Sequence, residues 1–191
     1  MAWAFYLLLA LAGVLWVGSR EGAISVSLFV SRTTWARDLG LGVGAAGVLL
    51  VVWQVADRYL PLARVLEDRL RDVIGPLSAS EAIGIAVLSG FAEEFFFRGA
   101  VQGSWGWLLA SVLFAALHSG RERSFYLWTI FAGLAGLLFA GLTILTGNLL
   151  APILAHVLFN STNLYKMAVA RDPTVSVSPG LGGEEEQDGD G

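Results

Sequence analysis

Cysteine is absent from the 191 residues, which excludes disulfides, thiolate metal sites, iron–sulfur clusters and a cysteine nucleophile. Charge is scarce as well. Asp, Glu, Lys and Arg make up 15% of the chain, against about 25% in an ordinary soluble domain. There is no basic excess: 12 Lys and Arg stand against 16 Asp and Glu, a net charge of −4, so a nucleic-acid partner is not expected. Histidine occurs only twice and proline five times. What fills the remaining space is apolar, 55% of all residues, with a mean hydropathy of +0.66. Such a composition belongs to proteins that live in a lipid bilayer.

The net charge sits at one end. From Arg171 onward the chain reads RDPTVSVSPGLGGEEEQDGDG, with one basic and six acidic residues; the remaining 170 residues carry 11 basic and 10 acidic groups. A segment of proline, glycine and like charges cannot bury enough apolar surface to order itself, so residues 171–191 are expected to form a disordered acidic tail.

Six apolar stretches are long enough to matter: about Ala2–Gly18, Leu39–Ala56, Leu77–Gln102, Ser104–His118, Phe125–Gly147 and Asn148–Tyr165. The expected fold is an all-α membrane protein of about six transmembrane helices. Residues 1–76 would hold two N-terminal helices and an amphipathic connecting segment, DRYLPLARVLEDRLRD, with Leu62, Val65, Leu66 and Leu70 at helical spacing. Residues 77–170 would form a four-helix core. Trp3, Trp16, Trp53, Trp105, Trp107 and Trp128 fall near span ends, where indoles anchor at a membrane interface. Gly133, Gly136 and Gly141 suit close helix packing. Six spans put both termini on one side. That side receives eight of the basic residues and the other four, which predicts cytoplasmic termini.

Ionisable side chains within such stretches are costly and face a cavity or a partner. In FAEEFFFRG, Glu94 and Arg98 are spaced i, i+4, which suits an ion pair, while Glu93 points about 100° away and is free to face another helix. Phe114 and His118 are also i, i+4, and His156 and Asn160 repeat the spacing further on. With ~1.5 Å of rise per residue, Glu93, His118, His156 and Asn160 fall within one slab ~10 Å deep, so the four can converge. A carboxylate, two imidazoles and an amide suit hydrolysis of an amide by water: a glutamate takes the proton, helped by a histidine, while a histidine and an asparagine donate to the oxyanion. This assigns Glu93 as base, with Glu94 and Arg98 supporting it; the reverse assignment of the two glutamates is the second choice.

At these residues the chain resembles the CPBP family, the CAAX-protease and bacteriocin-processing intramembrane proteases. EEFFFR matches its EExxxR motif, Phe114 to His118 its FxxxH, and His156 to Asn160 its HxxxN, in order. The resemblance covers about Leu77 to Tyr165 and implies an intramembrane peptidase with its chamber inside the bilayer. It implies that Glu93 and His118 activate water and that His156 and Asn160 hold the oxyanion, with no cofactor. Two histidines and a carboxylate are also a zinc-type donor set, but no HExxH is present, and metal-free glutamic chemistry is favoured.

Rival readings have less in the sequence. A serine protease would use Ser89, Ser111 or Ser119, none of which lies in a GxSG context, and no apolar stretch contains the two aspartates of an aspartyl protease. A proton-coupled transporter lacks an inverted repeat. A non-catalytic interaction or immunity protein of the same fold is the stronger rival, although the motif residues are intact. The expected partners are the lipid bilayer and a membrane-anchored protein or peptide substrate. Arginine as 11 of the 12 basic residues tilts the location toward a bacterial inner membrane.

Overall fold

A computed structural model describes residues 2–169; the expected acidic tail lies outside the described residues. Every regular element among those residues is helical. They are α1 (Ala2–Glu21), α2 (Trp35–Tyr59), α3 (Pro61–Ile74), α4 (Ala79–Glu94), the short α5 (Gln102–Trp105), α6 (Trp107–Leu117), α7 (Arg123–Thr146) and α8 (Leu150–Val169). A π-helical segment, Phe95–Val101, joins α4 to α5 without a break, and a single 3-10 turn, Val26–Leu28, lies between α1 and α2.

The punctuation follows from local chemistry. Leu60 precedes Pro61 and is extended, as the proline ring demands, so α2 stops and Pro61 opens α3 at its first turn. Gly75, at φ +78°, ends α3, and the chain turns through 99° into α4. α4 starts with a capping box: the Ser78 hydroxyl accepts from the Glu81 amide while the Glu81 carboxylate accepts from the Ser78 amide. The expected amphipathic segment is α3, with Ala63 and Leu66 fully buried and Leu62, Val65 and Val73 exposed.

Three helices, α1, α2 and α7, are long and apolar enough to cross a membrane, or four spans if α3 and the bent α4–α5 rod count as one. Two of the six expected spans fall short for physical reasons. α6 has 11 residues, about 16 Å, roughly half a hydrocarbon core of about 30 Å. α8 has the length, but His156, Asn160, Ser161, Thr162, Asn163 and Lys166 dilute its apolarity.

α8 is the central rod, packed chiefly against α4 and α2, while α6 packs on α7 and α1 on α4. The approach of α4 to α8 depends on Gly90. A Cβ at that position would lie 2.9 Å from the Val157 backbone nitrogen, closer than real Cβ atoms come. Gly90 therefore brings the two backbones together one turn from Glu93 and Glu94 on one side and beside His156 on the other. Of the three glycines expected to serve packing in α7, Gly136 does so against Phe114 and Arg98, Gly133 makes an ordinary contact with Ala115, and Gly141 faces open space.

Two expectations about individual residues are corrected. Trp53 is not an interface anchor: it is buried in the core, edge-on to Trp128 and Phe131. α2 also runs beyond its expected bounds and contains Asp38 and Asp57. They lie at opposite ends, about 28 Å apart along the axis, too far to act as a pair. Asp38 is fully buried and accepts hydrogen bonds from Thr34, Arg37 and Asn148, which ties the start of α2 to the α7–α8 turn.

Candidate active site

The last turn of α4 presents two adjacent glutamates to two different neighbours. The Glu94 side chain is fully buried. Its Oε1 accepts a 2.8 Å hydrogen bond from His156 Nδ1 on α8, and its Oε2 lies 3.2 Å from Arg98 Nε. That second contact is an ion pair set off the hydrogen-bond line, since neither atom finds a hydrogen-bond partner. Arg98, equally buried, donates from Nη2 to the Gly136 carbonyl of α7 at 3.0 Å. Its guanidinium carbon stands 4.5 Å from the centre of the Phe114 ring, within cation–π range. A buried guanidinium is thus matched by a carboxylate, a carbonyl and an aromatic face, and three helices are joined through it.

Glu93 points the other way. Its carboxylate Oε2 is 3.6 Å from His118 Nε2, and that oxygen has no hydrogen-bond partner. His118 caps the C-terminal end of α6, with Nδ1 2.8 Å from the Phe114 carbonyl. A carbonyl only accepts, so Nδ1 carries the proton of a neutral ring and Nε2 offers a lone pair toward Glu93. Two acceptors therefore face the same small volume. The Phe114 ring lies 4.5 Å from the His118 ring and 5.9 Å from the His156 ring, and Phe139 stacks on His156 at 5.2 Å.

Asn160, one turn beyond His156, donates from Nδ2 to the Ser89 hydroxyl at 3.0 Å, and Ser89 in turn donates to the Ala86 carbonyl. Ser89 lies one turn before Glu93 on α4. Because His156 spends Nδ1 on Glu94, only its Nε2 remains to act elsewhere.

These side chains meet at a cavity of about 600 Å³. Glu93, Phe114, His118, His156 and Asn160 all line it; Glu94 and Arg98 do not. The opposite wall is apolar and aromatic, with Trp53, Trp128, Phe131 and Phe159, while Ala2, Leu70, Val73, Ile74 and Met167 from α1, α3 and α8 form another part of the lining. All seven residues singled out from the sequence are thus gathered within one neighbourhood and sorted into a cavity-facing set and a buried set. Among the described residues, no group of three or more His, Asp or Glu side chains is placed to hold a metal ion.

The sequence did not mark Tyr6, Trp128 or the supporting role of Ser89. Trp128 packs against the His118 ring at 5.7 Å, and Tyr6 brings α1 into the lining. Nothing separates Tyr6 from its apolar neighbours in α1 except its position on the half-buried stripe.

Paired buried glutamates, an arginine between helices, two histidines and an asparagine around one intrahelical chamber define an intramembrane site of the CPBP type. Residues 75–162, which hold every candidate named above, match the family described as type II CAAX prenyl endopeptidase Rce1-like, and this segment belongs to that family. Together with its apolar helices, this makes the chain an integral membrane protein. A curated relative, the uncharacterized protein YpbD of Bacillus subtilis (strain 168), is 28% identical over 130 residues, covering 65% of this chain and 66% of its own. The match thus spans just under two thirds of that relative. No solved structure matches the chain.

Proposed function

We propose that this protein is an intramembrane endopeptidase that hydrolyses a peptide bond of a membrane-associated protein or peptide by activated water. The observation that carries the reading is the division of labour between adjacent glutamates: Glu93 lines the cavity beside His118 Nε2, while Glu94 is sealed against Arg98 and His156. A water between Glu93 and His118 donates its two protons to two acceptors, which raises the electron density on its oxygen. That oxygen attacks the scissile carbonyl carbon as one proton passes to the Glu93 carboxylate. The new oxyanion accepts from Asn160 Nδ2–H and, when the ring is protonated there, from His156 Nε2–H. Collapse breaks the C–N bond, and Glu93 returns its proton to the leaving nitrogen, so that a carboxylic acid and an amine leave. Nothing in this sequence of steps needs a metal.

Glu94 acts through His156: its carboxylate fixes the ring orientation, and Arg98 balances the carboxylate in a site without bulk water. The location we propose is a bacterial inner membrane, with both termini cytoplasmic. The experiment is cleavage of quenched fluorogenic peptides, each anchored by an apolar tail in liposomes that contain the purified protein. Turnover by the wild type, lost in Glu93→Gln with folding intact, supports the reading. Retained turnover in Glu93→Gln removes Glu93 from its role, and no cleavage of any peptide favours a non-catalytic membrane interaction protein.

A further inference from the structure

α1 lies outside the segment matched by the family, yet it reaches the site. Trp3, Tyr6, Ala10, Gly13, Val17 and Arg20 are spaced 3, 4, 3, 4 and 3 residues apart, so they form one stripe along the helix. Three contacts along that stripe fix its rotation and height on α4 and the π-helical segment. The Trp3 ring lies over Gly84, where a Cβ would stand 2.7 Å from the ring, and Gly13 sits against the Phe95 ring at 3.0 Å. At the far end, Arg20 donates to the Gly99 and Ala100 carbonyls and to the Ser104 hydroxyl. Tyr6, one turn from Trp3, is thereby held at the cavity. Its hydroxyl is a hydrogen-bond partner of the Ser89 side chain.

Ser89 is the residue that orients Asn160. A primary amide turns readily about its last torsion, and its oxygen and nitrogen ends have nearly the same shape. Turned over, it would present a carbonyl oxygen to a developing oxyanion and repel it. The Ser89 oxygen, with its own proton given to the Ala86 carbonyl, selects the NH2 end of Asn160 and leaves the second N–H of that group for the cavity. A second hydroxyl on Ser89 limits its rotation.

We propose that Tyr6 is a positioning residue of this site, acting through Ser89 on the Asn160 amide, so that α1 is part of the catalytic apparatus. This rests on the peptidase reading above. The test uses the full-length protein in liposomes and the same quenched peptides, with Tyr6→Phe, which keeps the ring and removes only the hydroxyl. The expected result is a kcat lower by about tenfold with KM unchanged, and an unaltered thermal midpoint in detergent. Ser89→Ala gives a loss of similar size. In an Asn160→Ala background, Tyr6→Phe costs less than about twofold, because the amide through which it acts is gone. Wild-type turnover in Tyr6→Phe, or a full tenfold loss still present in the Asn160→Ala background, overturns the proposal while leaving the peptidase reading in place. If the wild type cleaves none of the peptides, both fall together.

Discussion

Glu93 and Glu94 are neighbours in sequence, on one helix turn and at one depth, yet their surroundings differ in kind. Around Glu94, every strong contact is intramolecular and short: His156 at 2.8 Å, Arg98 at 3.2 Å, and an arginine anchored in turn to Gly136. Around Glu93, the nearest ionisable group is 3.6 Å away, and the carboxylate borders a cavity. The tight region has its polar groups arranged for rigidity, whereas the loose region keeps two acceptors waiting for a third party. A site that binds and releases water and peptide needs both conditions, and here about 100° of helix rotation separates them.

The comparison breaks most decisively at Glu93. Glu93→Gln keeps shape and burial but loses the base, and cleavage in liposomes should fall by about a thousandfold or more with an unchanged thermal midpoint. The opposite pattern is expected at Arg98. Arg98→Ala leaves the Glu94 carboxylate buried without its counterion, which costs about 3–5 kcal/mol of stability, read as a lower unfolding midpoint in detergent. If replacing Glu94 and Arg98 together by leucine recovers part of that midpoint while activity stays absent, the two regions are separable, one structural and one chemical.

Asn160→Ala sharpens the picture on the far side of the cavity. Losing one donor to the oxyanion should lower kcat by about a hundredfold, with little change in KM, in the same assay. The smallest effect is expected from chelation: exhaustive treatment with EDTA and a zinc-specific chelator should leave the rate of the purified protein unchanged, and a loss restored by added zinc would replace the glutamate mechanism with a metal-dependent one.

The pairs spaced i, i+4 were legible in the sequence because helical geometry makes that spacing a contact, and because charges are rare enough here to stand out. Glu94 with Arg98 and Phe114 with His118 are both observed contacts. The all-helical fold was legible for the same reason, from uninterrupted apolar runs. Inward and outward faces were not. In a chain bound for lipid, both faces of a helix are apolar, so Trp53 in the core and Trp105 at the surface read alike, although they are 6% and 55% exposed. Tyr6 was invisible for a related reason: its role depends on how α1 rotates against α4, and that rotation is set by glycines such as Gly84, far away in sequence.

The π-helical segment from Phe95 to Val101 gives the chain one more residue per turn at the point where Arg98 must enter the core, and six of its seven residues are buried. Its consequence concerns insertions and deletions. A homologue with one residue fewer there would close the stretch as an ordinary α-helix, turning everything that follows by about 100°. The Gly99 and Ala100 carbonyls would then swing away from Arg20, and Val101 would leave its buried position. An alignment gap inside this segment therefore marks a change in how the following helices face the chamber, whereas a gap in the Ser119–Glu122 loop alters only a connection.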